Sequence, residues 1–220
     1  MNCLLCQSRI NVKEKFTNLL LLNFSEEIIC ESCHGQFQKI QNPHCPSCYK
    51  NMEIEECQDC LYWKSHGKEV NHEALYNYNA AMKEYFSKYK FQGDYLLGKV
   101  FAREVRKALT KYKDYSIVPV PLGKNRYSDR KFNQVTAILE AANINYQDIL
   151  SKEDTEKQSS KSREERLGIK NPFSFKEGIS MGDKVLIVDD IYTTGATLQI
   201  ICQLFRESGI KNVRTFTIAR

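Results

Sequence analysis

Val185-Leu-Ile-Val-Asp189-Asp190-Ile-Tyr-Thr193-Thr194-Gly195-Ala196-Thr197 decides the fold of this chain. Four consecutive apolar residues, 185–188, predict a central strand of a parallel sheet covered on both faces. Leu198, Ile201, Cys202, Leu204 and Phe205 then recur at helical spacing, so residues 193–197 open a helix. A helix start carries free backbone N–H groups and a partial positive charge, which suits a phosphate. Gly195 lets the backbone approach closely, and the threonine hydroxyls add uncharged donors. Asp189 and Asp190 accept only, as the hydroxyl pair of a ribose or a phosphate-bound Mg²⁺ requires. A phosphate cradle beside a diol acceptor describes a ribose 5-phosphate site.

These thirteen residues resemble the phosphoribosyl-pyrophosphate (PRPP) fingerprint of type I phosphoribosyltransferases. The resemblance implies that Thr193, Thr194, Gly195, Ala196 and Thr197 surround the 5-phosphate and that Asp189 and Asp190 take the ribose hydroxyls, as the catalytic pair if chemistry occurs. The plain alternative is a strand–turn–helix whose acid pair merely ends the strand. The Gly-Lys-Ser/Thr ending of a nucleotide-binding P-loop is missing, which argues against an ATPase.

A cysteine series forms the second signal. Cys3-x-x-Cys6, Cys30-x-x-Cys33, Cys45-x-x-Cys48 and Cys57-x-x-Cys60 use eight of the nine cysteines. Each knuckle puts two thiolates on one tight turn, and two knuckles complete a tetrahedral zinc shell. Two closed structural zinc sites follow, the simplest pairing being the first two knuckles and the last two; a crossed pairing also satisfies the spacing. The alternatives are disulfides and iron–sulfur ligation. The chain opens directly with Met-Asn-Cys, so no signal peptide is expected, and the apolar stretch 19–22 is far too short to span a bilayer. A reducing compartment favours metal over disulfides. His34 and His44 flank cysteines and are expected outside the ligand set, and Cys202 on an apolar helix face reads as core.

The 220 residues divide by pattern into a metal module at 1–62, a polar linker at 63–72 and an α/β domain at 73–220. Strands are expected at 74–78, 115–121, 184–188 and 213–218, with helices at 80–89, 95–112 and 135–142. This alternation argues for a doubly wound, mostly parallel sheet with ligands beyond its strand carboxyl ends. The strand ending Val118-Pro119-Val120-Pro121 precedes a pyrophosphate-binding turn in phosphoribosyltransferases. Here Lys124, Arg126 and Arg130 are the candidate phosphate cations.

Two knuckle pairs, Val-Pro-Val-Pro, then Arg130-Lys131-Phe132-Asn133-Gln134 and the acid–threonine motif, in this order, resemble the ComF family over essentially the whole chain. Lys131 stands where the family usually has glycine, which bears on local backbone shape. Gln158, Arg166 and Phe173 match a family stretch that forms a loop over the sugar-phosphate site. The resemblance implies a cytoplasmic role in natural transformation, peripheral to the membrane's inner face through partners. Incoming single-stranded DNA would be the cargo and the helicase-like competence ATPase, ComFA, the partner.

Charge adds an independent lean toward nucleic acid. The net charge is +5, and Arg103, Arg106, Lys107 and Lys111 recur on one helical side as a backbone-tracking stripe would. Tyr85, Tyr89, Phe91 and Tyr95 interleave with lysines and can stack bases, or else form core. Two functions remain: a single-stranded DNA handling protein that keeps a PRPP site, and a working phosphoribosyltransferase using PRPP and Mg²⁺. No obvious hood for an acceptor base is visible, which favours the first.

Overall fold

Four parallel strands form the central sheet of the computed structural model, which describes residues 2–10, 28–51, 55–91, 93–154, 171–178 and 181–220. The 19–22 stretch, Gln158 and Arg166 lie outside these. The strands are β1 (His72–Tyr76), β2 (Ser116–Pro119), β5 (Lys184–Ile191) and β6 (Asn212–Ala219), in the order β1-β6-β5-β2. A short antiparallel pair, β3 (Leu150–Lys152) with β4 (Phe173–Phe175), stands apart. The helices are α1 (Glu31–Gly35), α2 (Gln58–Ser65), α3 (Ala80–Phe91), α4 (Ala102–Leu109), α5 (Lys124–Arg130), α6 (Gln134–Ala141) and α7 (Ala196–Glu207). No helix among the described residues is long and apolar enough to cross a membrane.

The alternation of β5 divides the core. Leu186 and Val188 face one apolar cluster with residues of α3, α4 and α6, whereas Val185 and Ile187 face a second with residues of α7. Each cysteine group shares one of these clusters: Cys3, with Cys30 and Cys33 against it, on the α3 side, and Cys45, Cys48, Cys57 and Cys60 on the α7 side. The knuckles are thus packed onto opposite faces of the sheet.

Several elements differ from expectation for identifiable reasons. β1 begins at His72 because its ring bonds two β6 hydroxyls, Thr215 Oγ1 at 2.9 Å and Thr217 Oγ1 at 3.1 Å. Burial pushes the His72 imidazole well below its usual range, so it stays neutral. β5 runs on through both acids because β6 keeps pairing with it, Asp189 opposite Thr217 and Ile191 opposite Ala219. The expected helix over 95–112 is broken into a 3₁₀ turn at Tyr95–Phe101, α4, and a second 3₁₀ turn at Thr110–Tyr112. Gly98 lies in the first turn where a Cβ would come within 2.8 Å of Tyr89 Oη. The turn after β2 is helical, as α5, a helix that buries no residue and so shows no apolar period.

The Arg130–Gln134 motif closes α5 and starts α6. Lys131 caps α5 with φ 66° and ψ −9°, the left-handed conformation that glycine adopts without strain. Phe132 packs against Tyr89 and Tyr95, with ring centroids at 5.5 and 5.2 Å. Asn133 caps α6 by accepting from Val135 N and donates Nδ2 to Val120 O, tying the helix to the end of β2. Lysine is therefore the strained member, and Lys131→Gly is expected to raise the melting temperature by about 1–3 °C. Thermal unfolding followed by circular dichroism checks this; a fall of similar size would contradict it.

Candidate functional site

A cleft of about 110 Å³ opens at the carboxyl ends of β2 and β5. The segment after β2 supplies Val120, Pro121 and Leu122; β5 supplies Asp189 and Asp190; and α7 presents Thr197 from its first turn. Four cations line it among the described residues: Lys90 from α3, Arg126 and Arg130 from α5, and Lys152 from β3. Against two carboxylates they leave a positive excess, which suits an anion.

The acid pair is internally organised. Asp189 Oδ1 accepts from the backbone N of Asp190 at 2.8 Å, and Asp190 pairs with Lys90. Burial, reinforced by the neighbouring Asp190 charge, pushes the Asp189 carboxyl up to about 7. Arg130 is held by Gln134, its Nη1 donating to Oε1 at 2.9 Å. Burial lowers the Arg130 pKa, opposed by Asp190, and burial together with Arg126 lowers that of Lys152.

The loop between β5 and α7 turns on Gly195, whose φ of 81° is left-handed. A Cβ there would meet Tyr192 Oη at 2.2 Å, so only glycine fits. Thr193, Thr194 and Ala196 are exposed, and of the expected loop residues 193–197 only Thr197 is among the described residues that line the cleft. Lys124 is exposed at the start of α5 and lies outside the described residues that line the cleft. Lys90 and Lys152 were not expected at this site. In sequence Lys90 is one cation in an aromatic-rich helix, and Lys152 sits on a three-residue strand with no pattern of its own.

The cysteines gather into two tetrads, Cys3/Cys6/Cys30/Cys33 and Cys45/Cys48/Cys57/Cys60, each with its sulfurs within 4.8 Å of one another. This is the simplest pairing, and none of the nine cysteines forms a disulfide. Cys45 and Cys60 sulfurs lie 3.7 Å apart and those of Cys48 and Cys57 3.5 Å apart. Tetrahedral zinc with Zn–S of about 2.3 Å needs sulfurs roughly 3.8 Å apart, so the second tetrad fits the ion closely. In the first, Cys6 and Cys30 sulfurs are 3.7 Å apart. Backbone N–H groups of Cys30 and Cys57 donate to Cys3 and Cys45 sulfurs, the outer support that thiolate ligands use. His34 faces Glu104 and His44 stacks on Tyr49, both away from ligation. Cys202 is core, and burial pushes its thiol up to about 12.

Arg103, Arg106, Lys107 and Lys111 are all exposed, opposite buried Val105, Leu109 and Tyr112. Lys111 pairs with Glu73. Arg106 borders a groove with Lys113, Tyr115 and Ile117 at the amino end of β2, the opposite end from the cleft. Of the interleaved aromatics, Tyr85 and Tyr89 are core, their hydroxyls donating to Leu97 O and Gln134 O. Phe91 and Tyr95 are exposed.

A parallel sheet covered on both faces, with paired acids and a glycine-turned helix start at its carboxyl ends, defines a phosphoribosyltransferase-like domain. The phosphoribosyl transferase domain family matches residues 125–220. The chain is 44% identical to competence protein ComFC of Streptococcus pneumoniae, over 100% of both chains. It is 32% identical to competence protein ComFC of Bacillus subtilis, over 99% of this chain and 94% of that one. Competence protein F of Haemophilus influenzae is 25% identical, over 90% of this chain and 93% of that protein. The chain belongs to the ComF family of competence proteins.

Proposed function

We propose that this chain handles single-stranded DNA during natural transformation and carries a working site for ribose 5-phosphate groups, with PRPP as its natural ligand. One observation carries the sugar-phosphate half: the acid pair, Thr197 from the first turn of α7 and four cations line a single cleft. In this account the loop amides take the 5-phosphate and the acids take the ribose hydroxyls. Arg126, Arg130 and Lys152 take the pyrophosphate, and Mg²⁺ arrives with it. Two structural zinc ions hold the tetrads, and the partner is a ComFA-type ATPase on the inner side of the membrane.

The raised Asp189 pKa makes the site pH-sensitive. Below about 7 the carboxyl holds a proton that a ligand needing the carboxylate must displace. Affinity for ribose 5-phosphate is therefore expected to rise with pH by up to about tenfold per unit below 7, then level off. The same raised pKa favours the folded state at low pH, so its contribution to stability falls as pH rises from the usual Asp range through about 7. Calorimetry at pH 6 and 8 on wild type and Asp189→Asn checks the ligand effect. A variant showing the wild-type dependence would exclude Asp189 as its source.

The DNA half is supported by the exposed stripe Arg103, Arg106, Lys107 and Lys111. Single-stranded oligonucleotide affinity should fall steeply with salt, with a log–log slope of about −2 to −3 for three or four phosphates neutralised. Replacing Arg103, Arg106 and Lys107 with Glu should remove most of that slope in a fluorescence anisotropy titration. An unchanged slope places the DNA elsewhere. Because Arg106 of the stripe borders the groove at the amino end of β2, opposite the cleft, saturating PRPP should leave oligonucleotide affinity within about twofold.

A second function, phosphoribosyl transfer to an unidentified acceptor, draws on the same cleft. The C1–oxygen bond to pyrophosphate would break as the acceptor bonds to C1, with the cations stabilising the departing charge. Release of pyrophosphate dependent on an added acceptor distinguishes the two.

A further inference from the structure

We propose that Trp63 and Arg220 are positioning residues through which the second cysteine tetrad orients the phosphate-binding loop. This rests on the sugar-phosphate account above and extends it to the metal module. Trp63 lies on α2, three residues after Cys60, and its Nε1 donates to the carbonyl of Thr194 at 2.8 Å. Arg220 reaches the same loop from another side. Its Nη1 donates to the carbonyl of Thr193, while Nη2 donates to Asp59 Oδ2 at 3.0 Å and Cys48 Sγ at 3.2 Å. Its guanidinium lies over the Tyr192 ring, 4.6 Å from the centroid, and the side chain is only 7% exposed.

Peptide geometry turns these tethers into an orientation of the loop. In a planar trans peptide the C=O of one residue and the N–H of the next point in opposite directions. Holding the Thr193 and Thr194 carbonyls toward the second tetrad therefore turns the Thr194 and Gly195 N–H groups away from it. Those two amides sit at the start of α7, where a phosphate is expected to accept.

The tethers depend on the tetrad itself. Cys57 stands directly before α2, and Cys60 lies within it together with Asp59 and Trp63. Closing four thiolates on one ion fixes α2, and Cys48 as a thiolate ligand accepts from the guanidinium as an outer-shell partner would. The first tetrad serves as an internal control. It packs on the other sheet face, where Lys88 Nζ donates to Leu5 O.

The test uses full-length, zinc-replete protein and ribose 5-phosphate. Trp63→Phe keeps an aromatic ring and removes one donor, and is expected to weaken binding about three- to tenfold. Arg220→Gln, which loses a charged fork shared by four acceptors, should weaken it by about tenfold or more, with Arg220→Lys intermediate. Both variants should keep two zinc ions per chain and wild-type oligonucleotide affinity. Linkage adds a reciprocal requirement: saturating ligand must raise zinc affinity at the second tetrad by the factor by which zinc there raises ligand affinity, and leave the first unchanged. Chelator competition, with Cys3→Ser protein to assign the two ions, measures that factor. Trp63 is the sole tryptophan, so its emission should shift both on ligand addition and on zinc removal. Wild-type affinity in Trp63→Phe, or ligand that leaves both zinc affinities unchanged, overturns the coupling while the sugar-phosphate site stands. Wild-type protein that fails to bind ribose 5-phosphate overturns both.

Discussion

Gly195→Val is expected to weaken ribose 5-phosphate binding more than about a hundredfold while the protein stays folded. Valine at φ 81° is already strained, because a branched side chain crowds its own carbonyl there. The added Cβ would also fall 2.2 Å from Tyr192 Oη and 2.4 Å from its Cζ. Tyr192 has little room to yield, with its ring held between His72, 4.2 Å away, and Arg220. The loop must move instead, and the amides at the start of α7 move with it. Since every charged group of the cleft is retained, a large loss would be a loss of loop shape. Calorimetry alongside circular dichroism checks this, and binding within about threefold of wild type would remove the loop from the phosphate site.

Cys57→Ser is expected to lower zinc content from two ions to one and to drop the melting temperature by more than about 10 °C. Structural zinc contributes on the order of 10–16 kcal/mol of apparent binding energy, and a broken tetrahedron forfeits much of it. Cys57 is a ligand candidate directly before α2, where its side chain makes no capping bond, and it is 2% exposed within the apolar cluster of the α7 face. Damage therefore spreads into the sheet packing. Metal analysis and thermal unfolding read the two effects. A variant that keeps both ions and its stability would mean that this tetrad is no zinc site.

The parts of this protein that could be read from sequence are those whose chemistry is local. The 185–197 stretch combines a fully buried strand, an acid pair and a helix start within thirteen residues, and each has its own signal. The CxxC knuckles likewise announce themselves, and the fold then selects the simplest pairing by placing one pair on each sheet face. What stayed hidden depends on distant partners. His72 reads as polar until Thr215 and Thr217 satisfy its ring inside the core. Lys90 and Asp190 are a hundred positions apart, and Trp63 and Thr194 farther still, so no spacing rule connects them. Helix α5 is silent in the sequence for the opposite reason: a helix with no buried face has no apolar period. Tyr85 and Tyr89 show the same ambiguity, since aromatic–lysine interleaving looks alike whether the rings face bases or core.

The most direct measurement is a calorimetric titration of Mg²⁺-PRPP into zinc-replete wild-type protein, run in parallel with Gly195→Val. The cleft described here predicts saturable binding near one ligand per chain, lost in the variant. Absence of binding to the wild type, or equal binding to both, would contradict it.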